Sequence, residues 1–155
     1  MIAVERTTTI SASAETIWAT LVDFAAISAW ASNVDHSCLM TEQTEGVGMV
    51  RRIQTDGSTI IETVERWEPA VALGYRISGL PPVIKSLTNT WNLVESGSTA
   101  APITRVVLTT EIDAGPRPPQ RLIAKAVGKR LGSASEQMLN GLTARVEARI
   151  NEGAA

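Results

Sequence analysis

The chain has 155 residues, of which 44% are hydrophobic and 19% charged, with one cysteine and a formal net charge of −2. Such a length buries most of its apolar surface without metal or disulfide support, so a single domain over residues 1–155 is expected. The acidic balance, with a pI near 5.5, argues against a nucleic-acid partner, which would need clustered bases; with no cleavable leader and no apolar run of membrane-spanning length, a cytoplasmic protein without an integral membrane segment is expected.

Residues 2–10, IAVERTTTI, are rich in β-branched types and alternate roughly, as a strand does. The period then changes. In SASAETIWATLVDF, Ser13 occupies an N-cap position and Glu15 the first turn, where the helix dipole favours an anion. Ile17, Trp18 and Leu21 recur at helical spacing, and a short second helix is expected through Ile27 and Trp30.

From Val34 to Ile112 the pattern is that of about six antiparallel strands. They are joined at Glu45-Gly46, Asp56-Gly57, Glu68-Pro69, Gly79-Leu80-Pro81-Pro82 and Gly97-Ser98, and Asp56-Gly57 is the clearest tight turn. His36 and Cys38 lie early in this region; a buried or half-buried structural thiol is expected for Cys38, and surface exposure for His36. The segment Val50 to Trp67, VRRIQTDGSTIIETVERW, reads as a hairpin and concentrates Arg51, Arg52, Glu62, Glu65 and Arg66.

After Pro116, Pro118 and Pro119 the reading returns to helix, as far as about Asn151. An apolar stripe from Ile123 through Val127, Leu131, Met138 and Leu142 to Val146 and Ile150 should face the core, its middle members also lining any pocket. Arg117, Arg121, Lys125 and Lys129 form a basic stripe that reads as a solvated face. Gly128, Gly132 and Gly141 weaken the helix and imply close backbone approach, a kink, kept space, or simply tolerated weak positions. One antiparallel sheet curled around a long helix leaves a volume between the two that suits a small molecule.

The opening TTTISASAETIWATLVDFAAISAW, through Ile10, Ser11, Ala12, Glu15, Ile17, Trp18, Leu21, Asp23 and Trp30, resembles the entry signature of the polyketide cyclase/dehydrase-like branch of the START and birch-pollen-allergen (SRPBCC) superfamily. The middle, GVGMVRRIQTDGSTIIETVERWEPAVALGYRISGLP, is similar to that family's Gly-x-x-Arg strand, Asp-Gly turn, Glu-containing strand and aromatic strand, and MLNGLTARVEARI to its closing helix. The resemblance implies an α+β helix-grip fold: a seven-stranded curved antiparallel sheet around a C-terminal helix, with two short helices after the first strand. It implies a cavity that takes a small hydrophobic ligand. No triad, metal cluster or phosphate loop is legible in the residues, so no cofactor or metal is expected, and a monomer or homodimer is.

Comparison with the related plant abscisic-acid receptors places Met49, Arg51 and Ile53 on the cavity side, and Ile60, Glu62 and Val64 inward as well. It adds Tyr75 and Ile77, then Leu87, Asn89 and Trp91, with Met138 from the helix, and turns Arg52, Glu65 and Trp67 outward. Arg66 has inward parity near a strand end. Arg51 and Glu62 should pair, either touching a ligand's carboxylate, hydroxyl or ketone or only satisfying each other. Three functions compete: a carrier or sensor of a lipid, isoprenoid or polyketide-like molecule; a polyketide cyclase/aromatase or dehydratase in which Glu62 is the base and Tyr75 or Arg51 the donor to an enolate oxygen; and a partner-binding module without a ligand, should side chains fill the cavity. The SGLPPVIK loop reads as a rigid turn, with a gate over the cavity as the alternative.

Overall fold

A computed structural model describes residues 1–55 and 57–154. The chain runs β1 (Ile2–Ile10), α1 (Ala14–Val22), a 3-10 helix (Phe24–Ala29), six strands and a long helix. The strands are β2 (His36–Leu39), β3 (Val50–Thr55), β4 (Ser58–Glu68), β5 (Ala72–Ser78), β6 (Ser86–Gly97) and β7 (Pro102–Asp113), followed by α2 (Pro118–Ala154). All neighbours pair antiparallel in one seven-stranded sheet, ordered β1-β7-β6-β5-β4-β3-β2. This is the helix-grip arrangement, and α+β is the fold class.

Local chemistry sets the boundaries. The Ser13 side chain accepts a hydrogen bond from the Thr16 amide and caps α1, while Glu95 on β6 accepts from the Ala14 amide at 2.7 Å and satisfies a second free donor of the same helix end. Asp56 lies outside the described residues; its neighbour Gly57 takes a φ of 75°, the left-handed conformation that the turn between β3 and β4 requires.

Three edge-to-face aromatic pairs stitch the small helices onto the sheet: Trp18 with Trp67 at 5.2 Å, Phe24 with Tyr75 at 5.7 Å and Trp30 with Trp91 at 6.1 Å between ring centroids. The first of these corrects the alternation expected along β4. The register shifts between Val64 and Arg66, so this bulge resets which face each side chain meets. Trp67, expected to face out, therefore packs against the core, and Arg66, with expected inward parity, is exposed and bonded to Glu68 at 2.7 Å.

Cys38 also departs from expectation. β2 is an edge strand in which Ser37 turns inward, donating to the Ala25 carbonyl, so Cys38 and His36 both fall on the exposed side.

Helix α2 is held by its glycines. A methyl on Gly128 would stand 3.1 Å from Val4 and 3.3 Å from Ile112, and one on Gly132 would meet the Arg6 guanidinium at 2.6 Å and Val4 at 3.3 Å, so this half of the helix lies hard against β1 and β7. Farther along, a methyl on Gly141 would collide with the Trp30 carbonyl oxygen. Close approach is thus what all three glycines permit. The apolar stripe ends at buried Val146; Ile150 is 39% exposed.

Gly141→Ala should lose about 1–3 kcal/mol in urea denaturation, because the overpacking against backbone outweighs the helix propensity that alanine adds. Gly153→Ala, where nothing lies within 4 Å, serves as the control and should be neutral or slightly stabilising.

Candidate functional site

Arg51 and Glu62 are direct partners in the β3–β4 register, and strand alternation sends both side chains inward. Both are almost completely buried, at 2% and 3% side-chain exposure. Arg51 Nε donates to Glu62 Oε1 at 2.9 Å, and Nη1 donates to the Phe24 carbonyl oxygen at 3.0 Å. The guanidinium carbon also sits 3.6 Å from the centre of the Phe24 ring and 4.9 Å from that of Tyr75, within cation–π range of both. Arg51 is therefore held by an ion pair, a backbone carbonyl and two aromatic rings.

Glu62 is engaged on one side only. Among the described residues its single donor is Arg51, and the side chain lines a cavity of about 550 Å³ between the sheet and α2. Burial pushes the Glu62 carboxyl above its ordinary value of 4.5, against the opposing pull of the Arg51 charge and hydrogen bond.

The cavity exists because of how α2 leans. Its glycines press it toward β1 and β7, and the opposite flank faces β3 to β6 across open space. Ile53, Ile60, Ile77 and Leu87 form the apolar sheet wall, with Glu62 and Asn89 among them, and Met138 faces them from α2. Val127 and Leu131 line it too, in keeping with the expected role of the middle of the helix stripe. Exposed Ser58 and Arg130 mark its mouth, and Leu80 of the SGLPPVIK loop borders it; that loop is closed as a turn by the Ile84 amide bonded to the Pro81 carbonyl at 2.9 Å.

Five residues expected on the cavity wall lie behind it. Met49, Arg51, Val64, Tyr75 and Trp91 are each 2% exposed or less and none is among the lining side chains; Phe24 of the 3-10 helix packs on Arg51 and Tyr75, and Trp30 just after it on Trp91. Parity fixes the face of a strand residue, and the covering helices fix whether that face is cavity or core. Of the catalytic candidates, Glu62 reaches the cavity while Arg51 and Tyr75 do not. The Tyr75 hydroxyl accepts from Trp91 Nε1 at 3.2 Å.

Several lining groups were not anticipated. Thr110 on β7 is 1% exposed and donates to Asn89 Oδ1 at 2.6 Å; its alternation with Leu108 and Ile112 carried the signal. Ser135, buried on α2, shares a helical face with Leu131 and Met138. Asn33, in the segment after the 3-10 helix, has a buried Oδ1 without a partner, and nothing in its sequence neighbourhood marked it. Among the described residues no three His, Cys, Asp or Glu side chains gather to hold a metal, and no helix is long and apolar enough to cross a membrane. Arg117, Arg121, Lys125 and Lys129 are exposed, as a solvated stripe should be.

Tyr75 is the sole tyrosine, which makes the dryness of this region measurable. Burial, and then the nearby Glu62 charge, push its hydroxyl from 10.0 up to about 12. Because the folded-state value lies above the unfolded one, the associated stability is complete below pH 10.0 and is lost as pH rises toward 12. Alkaline titration of phenolate absorbance should therefore show no ionisation of the folded protein near 10 and a midpoint near 12 or a coincidence with unfolding; a midpoint at 10 in folded protein would contradict this burial.

The fold has known relatives. The chain superposes on the Zhui aromatase/cyclase of Streptomyces sp. R1128 with a TM-score of 0.74 and 23% identity, over 96% of this chain and 95% of that one. It is similar to a START superfamily protein of Mycobacterium smegmatis, with a TM-score of 0.66, 19% identity and coverage of 94% and 97%. A protein of Thermobifida fusca gives a TM-score of 0.76 at 21% identity, covering 94% and 93%. No curated protein matches significantly in sequence. The family model described as polyketide cyclase / dehydrase and lipid transport matches residues 1–147. With that match spanning nearly the whole chain, the protein belongs to the polyketide cyclase / dehydrase and lipid transport family.

Proposed function

We propose that the protein binds a small, mostly apolar molecule, a lipid, isoprenoid or polyketide-like compound, in the cavity between α2 and the sheet, and acts as its carrier or sensor. The observation that carries this reading is the cavity itself: about 550 Å³, walled by Ile53, Ile60, Ile77, Leu87, Leu131 and Met138, with a few polar groups set among them. A volume within the roughly 300–1,000 Å³ usual for ligand sites, mostly apolar with sparse polar groups, is what orients a hydrophobic ligand without trapping water. Membership of a family described by cyclisation, dehydration and lipid transport supports it.

One observation favours a second reading, a polyketide cyclase/aromatase or dehydratase. Glu62 faces the cavity with burial raising its basicity, as a general base for an activated C–H would require. The proton would pass to the Glu62 carboxylate, and the enolate oxygen would take a hydrogen bond from Ser135, since Arg51 and Tyr75 lie behind the wall. Under this reading Glu62→Gln abolishes turnover of a polyketone; unchanged turnover removes Glu62 from the chemistry.

Native mass spectrometry of the purified protein, with extraction of any retained lipid and a thermal-shift panel of fatty acids, sterols and aromatic polyketides, tests the binding reading. A retained molecule or a clear shift is expected, and Ala134→Trp, which fills the cavity without removing a polar group, should abolish it while keeping the circular dichroism of the fold. Absence of any ligand and any shift in the unaltered protein, or binding untouched by Ala134→Trp, would refute it.

A further inference from the structure

The polar groups on the cavity wall are strongly biased, and the bias names the chemistry of the ligand's inner end. Among the described residues, the buried ionisable group that reaches the wall is the Glu62 carboxyl. Its cation lies behind the wall and not among the lining side chains: Arg51 spends Nε on Glu62 and Nη1 on the Phe24 carbonyl, with the Phe24 and Tyr75 rings beside it. A ligand in the cavity thus meets the anion of the pair and not the cation.

The neutral groups lean the same way. Asn33 Oδ1 is buried with no donor, a state that costs free energy until something donates to it. Thr110 gives its proton to Asn89 Oδ1 and so offers only lone pairs to the cavity. Asn89 Oδ1 is itself occupied by the Thr110 hydroxyl, and Asn89 acts on the Tyr75 hydroxyl behind the wall. Ser135 is left as the neutral hydroxyl free to act in either sense. The lining cation, Arg130, is exposed at the mouth and makes no ion pair among the described residues.

Resting on the reading of this cavity as the binding site, we infer that the ligand enters hydroxyl first: a largely apolar molecule whose inner end carries an alcohol or phenol that donates to Glu62, with Asn33 Oδ1 as a second acceptor, and whose acidic group, where it has one, stays at the rim beside Arg130. A carboxylate directed inward would face the Glu62 charge with no free cation to offset it. A ketone or ether in the same place would set lone pairs against lone pairs and leave Asn33 unsatisfied. Of the three groups that the sequence allowed opposite the Arg51/Glu62 pair, the structure selects the hydroxyl.

The test uses the unaltered full chain and three probes that share one ring system: 2-naphthol, 2-methoxynaphthalene and 2-naphthoate, titrated calorimetrically at pH 8. The naphthol should bind at least tenfold more tightly than the ether and the carboxylate, and Glu62→Gln should shrink its advantage over the ether. Equal binding of naphthol and ether, or tightest binding of the carboxylate, overturns the hydroxyl-first inference while leaving the cavity as a binding site. Failure of all three to bind overturns the cavity reading and the inference with it. The comparison between probes needs no variant, so it stands even where Glu62→Gln does not fold.

Discussion

A guanidinium cannot shed its charge inside a protein, so a buried arginine must be surrounded by groups that replace water. Arg51 is such a group, and the structure around it is the consequence. Its partners come from different parts of the chain: Glu62 from β4, the Phe24 carbonyl and ring from the 3-10 helix, and the Tyr75 ring from β5. Satisfying one side chain therefore fixes the 3-10 helix over the sheet at one position. The aromatic pairs Phe24–Tyr75 and Trp30–Trp91 close the same end, and behind them the interior is solid.

The other end is open for a different reason. Gly128 and Gly132 let α2 settle on β1 and β7, and a helix that leans to one side of a curved sheet cannot also fill the other. The residues on its free flank, Leu131, Ser135 and Met138, then face the β3–β6 wall across the cavity. Glu62 lies at the junction of the two halves. Its Arg51-bound oxygen belongs to the packed end and its side chain borders the open one, so a single ion pair serves as both an anchor of the fold and the polar mark in an apolar site.

Much of this was legible in the sequence because it follows from periodicity. The Ser13 cap, the strand–helix–strand–helix order and the inward phase of Arg51 and Glu62 against Arg52 all depend on local spacing, which the fold obeys. What was not legible depends on registry and depth. The bulge after Val64 changes the side on which Trp67 emerges, and no residue type announces it. In a strand as short as β2 the phase is ambiguous by one residue, which turned Cys38 to the surface and Ser37 inward. Tyr75 and Trp91 have the inward parity expected of them, yet the helices that cover them make that face core. Thr110 was readable from its alternation with buried neighbours, whereas Asn33 sits in an irregular segment where spacing says nothing about direction.

The central claim is that Arg51 and Glu62 form one desolvated unit, each the condition for burying the other. Urea denaturation of Arg51→Met, Glu62→Leu and the double variant tests it most directly. Each single change should cost about 3–5 kcal/mol, because it strands an unpaired buried partner, and the double variant should recover most of that loss. A double variant whose loss equals the sum of the two singles would contradict the account, since it would show two residues that stabilise the fold independently.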